Sequence, residues 1–274
     1  MIKNIKLNKV NMLIFALCLL VAMYLLIADN NSGLLPLEAK PQQRMKKLPD
    51  FSKILDVKEK KETFFTTLYP IIQEENKHVL KLRDNISTLK SVPLESLTEK
   101  QKTWLLKVST YYKLDIEVID KSAFNKLLKR VDYVPPSLAL TQAAIESGWG
   151  TSRFSKLGNN IFGQWCFSKG CGIVPSSRDA GKGHEVSTFA TVNKSVRSYI
   201  RNLNTHPSYT ELRTKRALLR EKNEPFTGVA LAKTLTKYSE EGAHYVEKVS
   251  KFINQNKLQR FTKEFERSLV VPAD

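Results

Sequence analysis

Three cysteines and four histidines are all that this 274-residue sequence offers for metal or redox chemistry. No histidine pair has HExxH spacing and no glycine-rich phosphate loop occurs, so neither a zinc-hydrolase helix nor a nucleotide site is expected, and no cofactor is assigned. Cys18 falls in an apolar N-terminal run, which leaves Cys166 and Cys171 in CFSKGC as the one pair in the remainder. That spacing is wider than CxxC and no second pair follows, so no metal is expected there. In an oxidising compartment the two close a short disulfide loop, with two free thiols as the alternative. Internal repeats and low-complexity tracts are absent. An arginine-rich block is absent too, although the net charge is +17, with basic residues spread from Lys3 to Arg267. Such a surface suits a membrane or an anionic cell-wall polymer, and no nucleic acid is expected as partner.

What is present begins with a membrane signal. Lys3, Lys6 and Lys9 precede an uncharged run of 19 residues, Val10 to Ala28. A helix needs roughly 20 apolar residues to cross a bilayer, and a cleaved signal's apolar region is shorter, about 7 to 15. Residues 1–29 therefore read as a signal anchor in the inner membrane with a cytoplasmic N-terminus and everything after Asp29 exported to the periplasm. A cleaved signal peptide is the alternative, and it exports the chain equally. Residues 30–50, with Pro36, Pro41 and Pro49, read as a linker.

Residues 51–132 read as a helical region. Phe64, Leu68, Ile71, Val79, Leu82, Ile86 and Leu89 recur at three- and four-residue spacing, giving a long amphipathic helix that Pro70 should kink or divide. Thr98 to Leu114 gives a second helix capped by Thr98, and Ser122 to Val131 a third.

The stretch from Tyr133 to Ser152, YVPPSLALTQAAIESGWGTS, carries one charge, Glu146, in a chain that is 26% charged. Pro135 and Pro136 set the start of a helix there, with Ser137 as a candidate cap, and Gly148 and Gly150 end it. Glu146 thus sits in the last turn, where the helix dipole and apolar neighbours both disfavour a carboxylate and raise its pKa. A carboxyl still protonated near neutrality can donate to a leaving-group oxygen, as in glycoside hydrolysis. The plainer reading is a partly exposed or ion-paired glutamate.

The run AAIESGWGTSRFSKLGNNIFGQWC resembles the core motif of the peptidoglycan-hydrolysing glucosaminidases of glycoside hydrolase family 73, and the segment through RNLNTHPSY resembles the Bax proteins of Gram-negative bacteria. The resemblance covers about Tyr133 to Phe252. It implies an α+β, mostly helical, lysozyme-like catalytic domain over 133–260 with a small β-hairpin lobe, followed by a tail at 261–274. It further implies an endo-β-N-acetylglucosaminidase acting on the β-1,4-linked glycan strands of peptidoglycan, with Glu146 as general acid. A lytic transglycosylase or muramidase of similar fold, or a non-catalytic wall-binding protein, is the alternative.

Further residues take roles beside it. Asn160, Phe162, Gln164 and Trp165 are candidates to line the glycan groove, since amides bond sugar hydroxyls and aromatic faces accept apolar sugar faces. For Phe162 and Trp165 the alternative is core packing, and Trp149 is expected in the core below the site. Gly172 to Pro175 and Glu185 to Ala190 read as the two strands of the hairpin. The family uses a second acidic residue in this lobe. Glu185 is the candidate and Asp179 the runner-up, although the family's glutamate belongs to the first strand and Glu185 opens the second. Tyr245 matches the family's tyrosine before a late helix and would orient the N-acetyl group or a water. Tyr238 is a weaker candidate for that place.

Overall fold

The helical periodicity of 57–90 produces one helix rather than two. In the computed structural model, which describes residues 34–176, 178, 181 and 183–270, α1 runs from Val57 to Lys90 straight through Pro70. Pro70 lies on the exposed side of α1, so the backbone groups it leaves unpaired face water instead of the core. Asp56 caps α1 by accepting the Glu59 N–H at 2.7 Å, and the opposite stripe, Phe64, Leu68, Ile72, Leu82 and Ile86, is buried.

Helix α2 (Glu99–Tyr111) begins with a reciprocal capping box between Thr98 and Gln101, and α3 (Lys121–Arg130) is capped by Asp120. The chain then enters α4 (Pro136–Ser147), with Pro136 in its first turn. Ser137 does not cap it. Its N–H donates to Thr262 Oγ1 at 3.1 Å and its hydroxyl is shared with Gln259 and Thr262, so a neighbouring helix supplies what a cap would. After α4 come α5 (Arg153–Gly158), three short strands, α6 (Val192–Thr205), α7 (Thr210–Glu221), α8 (Gly228–Ala232), α9 (Ala243–Gln255) and α10 (Gln259–Val270).

Helix α4 is the centre of the packing, with α1, α8, α9 and α10 against it. Its residues from Pro136 through Ala144 are all buried. Its entry is fixed by charge: buried Asp132 accepts two hydrogen bonds from Arg220, each 2.5 Å, while buried Arg216 donates to the Asp132 and Tyr133 carbonyls at 3.2 and 3.0 Å. Burial alone would raise the Asp132 pKa, but the Arg220 hydrogen bonds and the Arg216 and Arg83 charges hold it below the usual range.

Three expectations change. The hairpin is the outer half of a three-stranded antiparallel sheet, because Trp165–Cys166 (β1) pairs with Glu185–Ser187 (β3) on the side opposite Gly172–Ile173 (β2), giving the order β1-β3-β2. The segment expected as a linker runs along the folded part from Leu37 on: the Met45 N–H donates to Asn193 Oδ1, the Met45 carbonyl accepts the Val192 N–H, and Arg197 donates to the Ala39 carbonyl. The expected tail is helix α10, whose Phe261, Thr262 and Phe265 are buried. In both cases residues find partners far along the chain, Met45 at the start of α6 and Phe261 and Phe265 at the Phe65, Tyr69 and Tyr133 rings, that sequence distance conceals. The signal anchor at 10–28 lies outside the described residues, and among those described no helix is long and apolar enough to cross a membrane.

Phe265 is fully buried, 5.2 Å from the Tyr133 ring. Phe265→Ala should therefore lower stability by about 3–5 kcal/mol in a urea titration, the range for a buried aromatic truncated to alanine. A cost within 0.5 kcal/mol of zero would show that α10 is dispensable.

Candidate active site

Burial loosens in the last turn of α4, where Ile145 and Glu146 are half-buried and Ser147 is still buried. Gly148, Trp149 and Gly150 all take positive φ, 55°, 60° and 73°, so the chain leaves the helix in a tight left-handed turn. Glu146 is half-buried in the last turn before it. Trp149 is half-buried as well, ringed edge-on by Phe64 and Phe65 and tilted against Phe252, with centroids 5.4–5.5 Å apart. The turn is thereby clamped between α1 and α9.

The Glu146 carboxyl is reached by a directed relay. Tyr199 donates to Gln142 Oε1 at 2.6 Å, Gln142 Nε2 donates to the Tyr245 oxygen at 3.0 Å, and Tyr245 donates to Glu146 Oε1 at 2.8 Å. Gln142 stands one helical turn before Glu146 on α4, and Tyr245 is buried in the first turn of α9. Because Gln142 occupies the Tyr245 oxygen as a donor, the phenol's own hydrogen is free to point only at Glu146. Oε2 takes no hydrogen bond from the described residues and faces Gly163, where a Cβ would lie 3.7 Å away. A methyl group at 163 would meet that oxygen at ordinary contact distance, and it is the φ of 63° that favours glycine there.

Burial raises the Glu146 pKa; the Tyr245 hydrogen bond and Lys248 pull it back, Glu241 adds to the rise, and the net shift is upward. Burial and the adjacent carboxylate likewise drive the Tyr245 phenol far above its ordinary value, so it stays a donor. Tyr238 stacks on Tyr245 at 5.3 Å and 11°, backing the donor.

Other expected site residues separate into wall and support. Asn160 is buried and holds the turn, bonding the Gln164 carbonyl and N–H and the Ser187 carbonyl. Phe162 is buried and stacked on Tyr199 at 3.8 Å, in the core behind the relay. These two lie behind the wall rather than on it, since the turn needs its own polar groups satisfied and Tyr199 needs a face to pack on. Trp165 is 57% exposed and stacks on His184 at 4.3 Å, and Gln164 lies beside it with both side-chain amide atoms buried and no hydrogen-bond partner among the described residues.

Cys166 and Cys171 are bonded to each other, so their sulfurs are committed. Glu185 is buried beneath this loop, and its two carboxylate oxygens accept the Gly170 and Gly172 N–H groups at 2.9 and 2.8 Å. Those backbone donors, first Gly170 and then Gly172, lower its pKa. The structure therefore gives Glu185 a loop-holding contact and does not bring it into the Tyr199–Gln142–Tyr245–Glu146 relay. Asp179 lies outside the described residues. Gln142 precedes 146 by one turn, the one signal that could have placed it on the Glu146 face of α4; Tyr199 showed only as a core position of its helix, and Gly163 carried no signal of its own.

Tyr245→Phe removes a hydrogen bond that favours the ionised carboxylate, so the Glu146 pKa should rise further. A carboxyl-carbon NMR titration would show it, and a fall would break this account of the relay.

The glucosaminidase family, described as mannosyl-glycoprotein endo-beta-N-acetylglucosaminidase, matches residues 121–258. The chain is also 35% identical over 199 residues to the protein named Protein bax of Escherichia coli (strain K12), covering 72% of this chain and 70% of that one. No solved structure matches significantly. Helix α4, the Glu146 turn, the sheet and Tyr245 all fall within the matched residues, and the chain belongs to the glucosaminidase family, as a Bax-like member of it.

Proposed function

We propose that this chain hydrolyses the β-1,4 glycosidic bond after N-acetylglucosamine in peptidoglycan strands, with Glu146 as the general acid. The observation that carries the reading is the 2.8 Å hydrogen bond from Tyr245 to Glu146 Oε1 at the end of a relay of neutral donors. With Oε1 taken as acceptor, the proton of the neutral acid resides on Oε2, the oxygen turned toward Gly163 and the wall that follows it. Burial outweighs the Tyr245 hydrogen bond and the Lys248 charge, and no cation is ion-paired with Glu146 among the described residues, so the proton stays on at a pH where an exposed glutamate has lost it. The exposed Trp165 face offers a platform for the apolar face of a sugar ring.

Bond breaking then needs a group at the anomeric carbon. Glu185 has both oxygens held by backbone N–H groups and a lowered pKa, so it is a weak base. This favours attack by the substrate's own acetamido oxygen: its C–O bond to the anomeric carbon forms as the glycosidic C–O bond breaks, and Glu146 gives its proton to the departing oxygen. Water then opens the cyclic intermediate, returning a proton to Glu146. Tyr245 acts by fixing Oε1, and Glu185 by holding the disulfide loop next to Trp165.

Export is part of the same reading. The uncharged run at 10–28 after three lysines fits an inner-membrane anchor, the Cys166–Cys171 disulfide fits a periplasmic domain, and the net charge of +17 fits an anionic wall.

Glu146→Gln should lower the release of reducing ends from peptidoglycan about 10²–10⁴-fold, the usual worth of a general acid. An unchanged rate sinks the assignment, and anhydro-muramic ends in the mass spectrum of the digest would replace hydrolysis by transglycosylation. Activity should be lost as pH rises through the Glu146 pKa, and in Tyr245→Phe that alkaline limb should move to higher pH. Replacing the substrate's N-acetyl group by N-trifluoroacetyl weakens the acetamido nucleophile, so kcat should fall; kcat that stays level would point to an enzyme carboxylate instead.

A further inference from the structure

The wall that passes Glu146 at Gly163 continues at once into a second, differently charged hollow. A pocket of about 260 Å³ opens at Gln164 and Trp165, and Glu146 is not part of its lining. Gln164 follows Gly163, the residue whose Cβ position lies 3.7 Å from Glu146 Oε2, and adjacent Cα atoms are about 3.8 Å apart, so the pocket begins one residue past that point.

Its floor is one face of α6. Ser198, Arg201, Asn202 and Thr205 stand at i, i+3, i+4 and i+7 and all line the pocket, while Val196, Tyr199, Ile200 and Leu203 on the other face are buried in the core. Lys113, the left-handed residue (φ 55°) just past α2, adds a second cation from across the hollow. No carboxylate lines the pocket, and neither Arg201 nor Lys113 forms an ion pair among the described residues. A polar helix face that is merely solvated ordinarily mixes acids with bases. This one is polar and positive only. Arg201 is also pre-positioned, its guanidinium lying 4.5 Å over the Tyr111 ring. Gln164 brings the independent sign of a ligand: Nε2 and Oε1 are both buried and without a protein partner among the described residues.

We infer that this hollow is a subsite for a carboxylate-bearing substituent of the glycan strand, with Arg201 and Lys113 meeting the anion and Gln164 bonding an adjoining amide. A primary amide presents one donor and one acceptor group, the complement of a peptide bond, and a guanidinium fork matches a carboxylate. The inference rests on the glycan-hydrolase reading above and states which strands the site prefers: those whose muramoyl residues carry charge next to the scissile bond. Two sources share this chemistry, the carboxylates of a stem peptide and the lactyl carboxylate of a muramoyl residue stripped of peptide.

The test measures binding by calorimetry to the full chain carrying Glu146→Gln, which leaves the probes uncut. The probes are the N-acetylglucosaminyl-muramoyl disaccharide with its stem peptide, the same disaccharide without peptide, and neutral chitobiose. The peptide-bearing disaccharide should bind tighter than chitobiose. Adding Arg201→Gln should cut that ratio about tenfold, the scale of one charge-assisted contact, and Arg201→Lys should restore most of it. Melting temperatures verify folding, and Lys113→Asn, which tolerates a left-handed backbone, repeats the test should Arg201→Gln unfold. Loss of the preference when the peptide is stripped assigns the stem-peptide carboxylates; tighter binding than chitobiose by the stripped disaccharide alone, whose lactyl carboxyl is no longer amide-bonded, assigns the lactyl carboxylate. Equal binding of all three probes, or a ratio unmoved by both substitutions, overturns the inference. Peptidoglycan cleavage by the unsubstituted chain is scored separately: a failure there with the ratio intact sinks the hydrolase reading alone.

Discussion

The described fold from Leu37 on is arranged around the burial of α4. A helix whose every residue from Pro136 to Ala144 is buried has no solvated face, so it tolerates no charge along its length. Charge is admitted only at its two ends. At the entry, Asp132 is neutralised by arginines from α1 and α7, which also bond the carbonyls of the incoming chain. At the exit, Glu146 appears where α1, α9 and the sheet part, and the left-handed turn of 148–150 carries the chain away from it. The same packing that forbids charge in the middle exposes one carboxyl at the end and removes water from around it.

The fold treats its carboxylates in two ways. Asp132, Glu75 and Glu185 are buried, and each is met by guanidinium groups or backbone N–H donors. They hold segments together: the entry to α4, the contact of α1 with α6, and the disulfide loop. Glu146 is less buried, and the hydrogen bond it accepts among the described residues comes from a neutral phenol, itself ordered by a neutral amide and a second phenol. A paired cation would lower the carboxyl's pKa and leave it ionised; the neutral phenol lowers it less than burial raises it, so the net shift stays upward. The distinction between the carboxyls that hold segments and Glu146 is thus one of partner charge more than of depth.

The α6 helix links the two halves of the proposed specificity. Its core face carries Tyr199, which starts the relay to Glu146, and its outer face carries Arg201 toward the second hollow. Helical geometry puts residues 199 and 201 on opposite sides of one element, so the relay to Glu146 and the proposed anion pocket share a rigid support.

The sequence alone determined what is local or periodic. The span of α1 and α2, the cap at Thr98, the prolines that start α4, the glycine turn that ends it and the isolated charge in that window follow from spacing and side-chain type, which act within a few residues. The ESGWG run and Tyr245 carried the family resemblance, and the 2.8 Å contact between Glu146 and Tyr245 joins them. Only tertiary structure decided the rest. That Pro70 leaves α1 whole depends on which side faces water. That residues 259–270 form a helix against α4 depends on Phe261 and Phe265 finding a surface more than a hundred residues away. The use of Asn160 and Phe162 as support, of Glu185 as a loop clamp, and of Gln142 as the relay's middle member depends on distances between elements, which no spacing along the chain encodes.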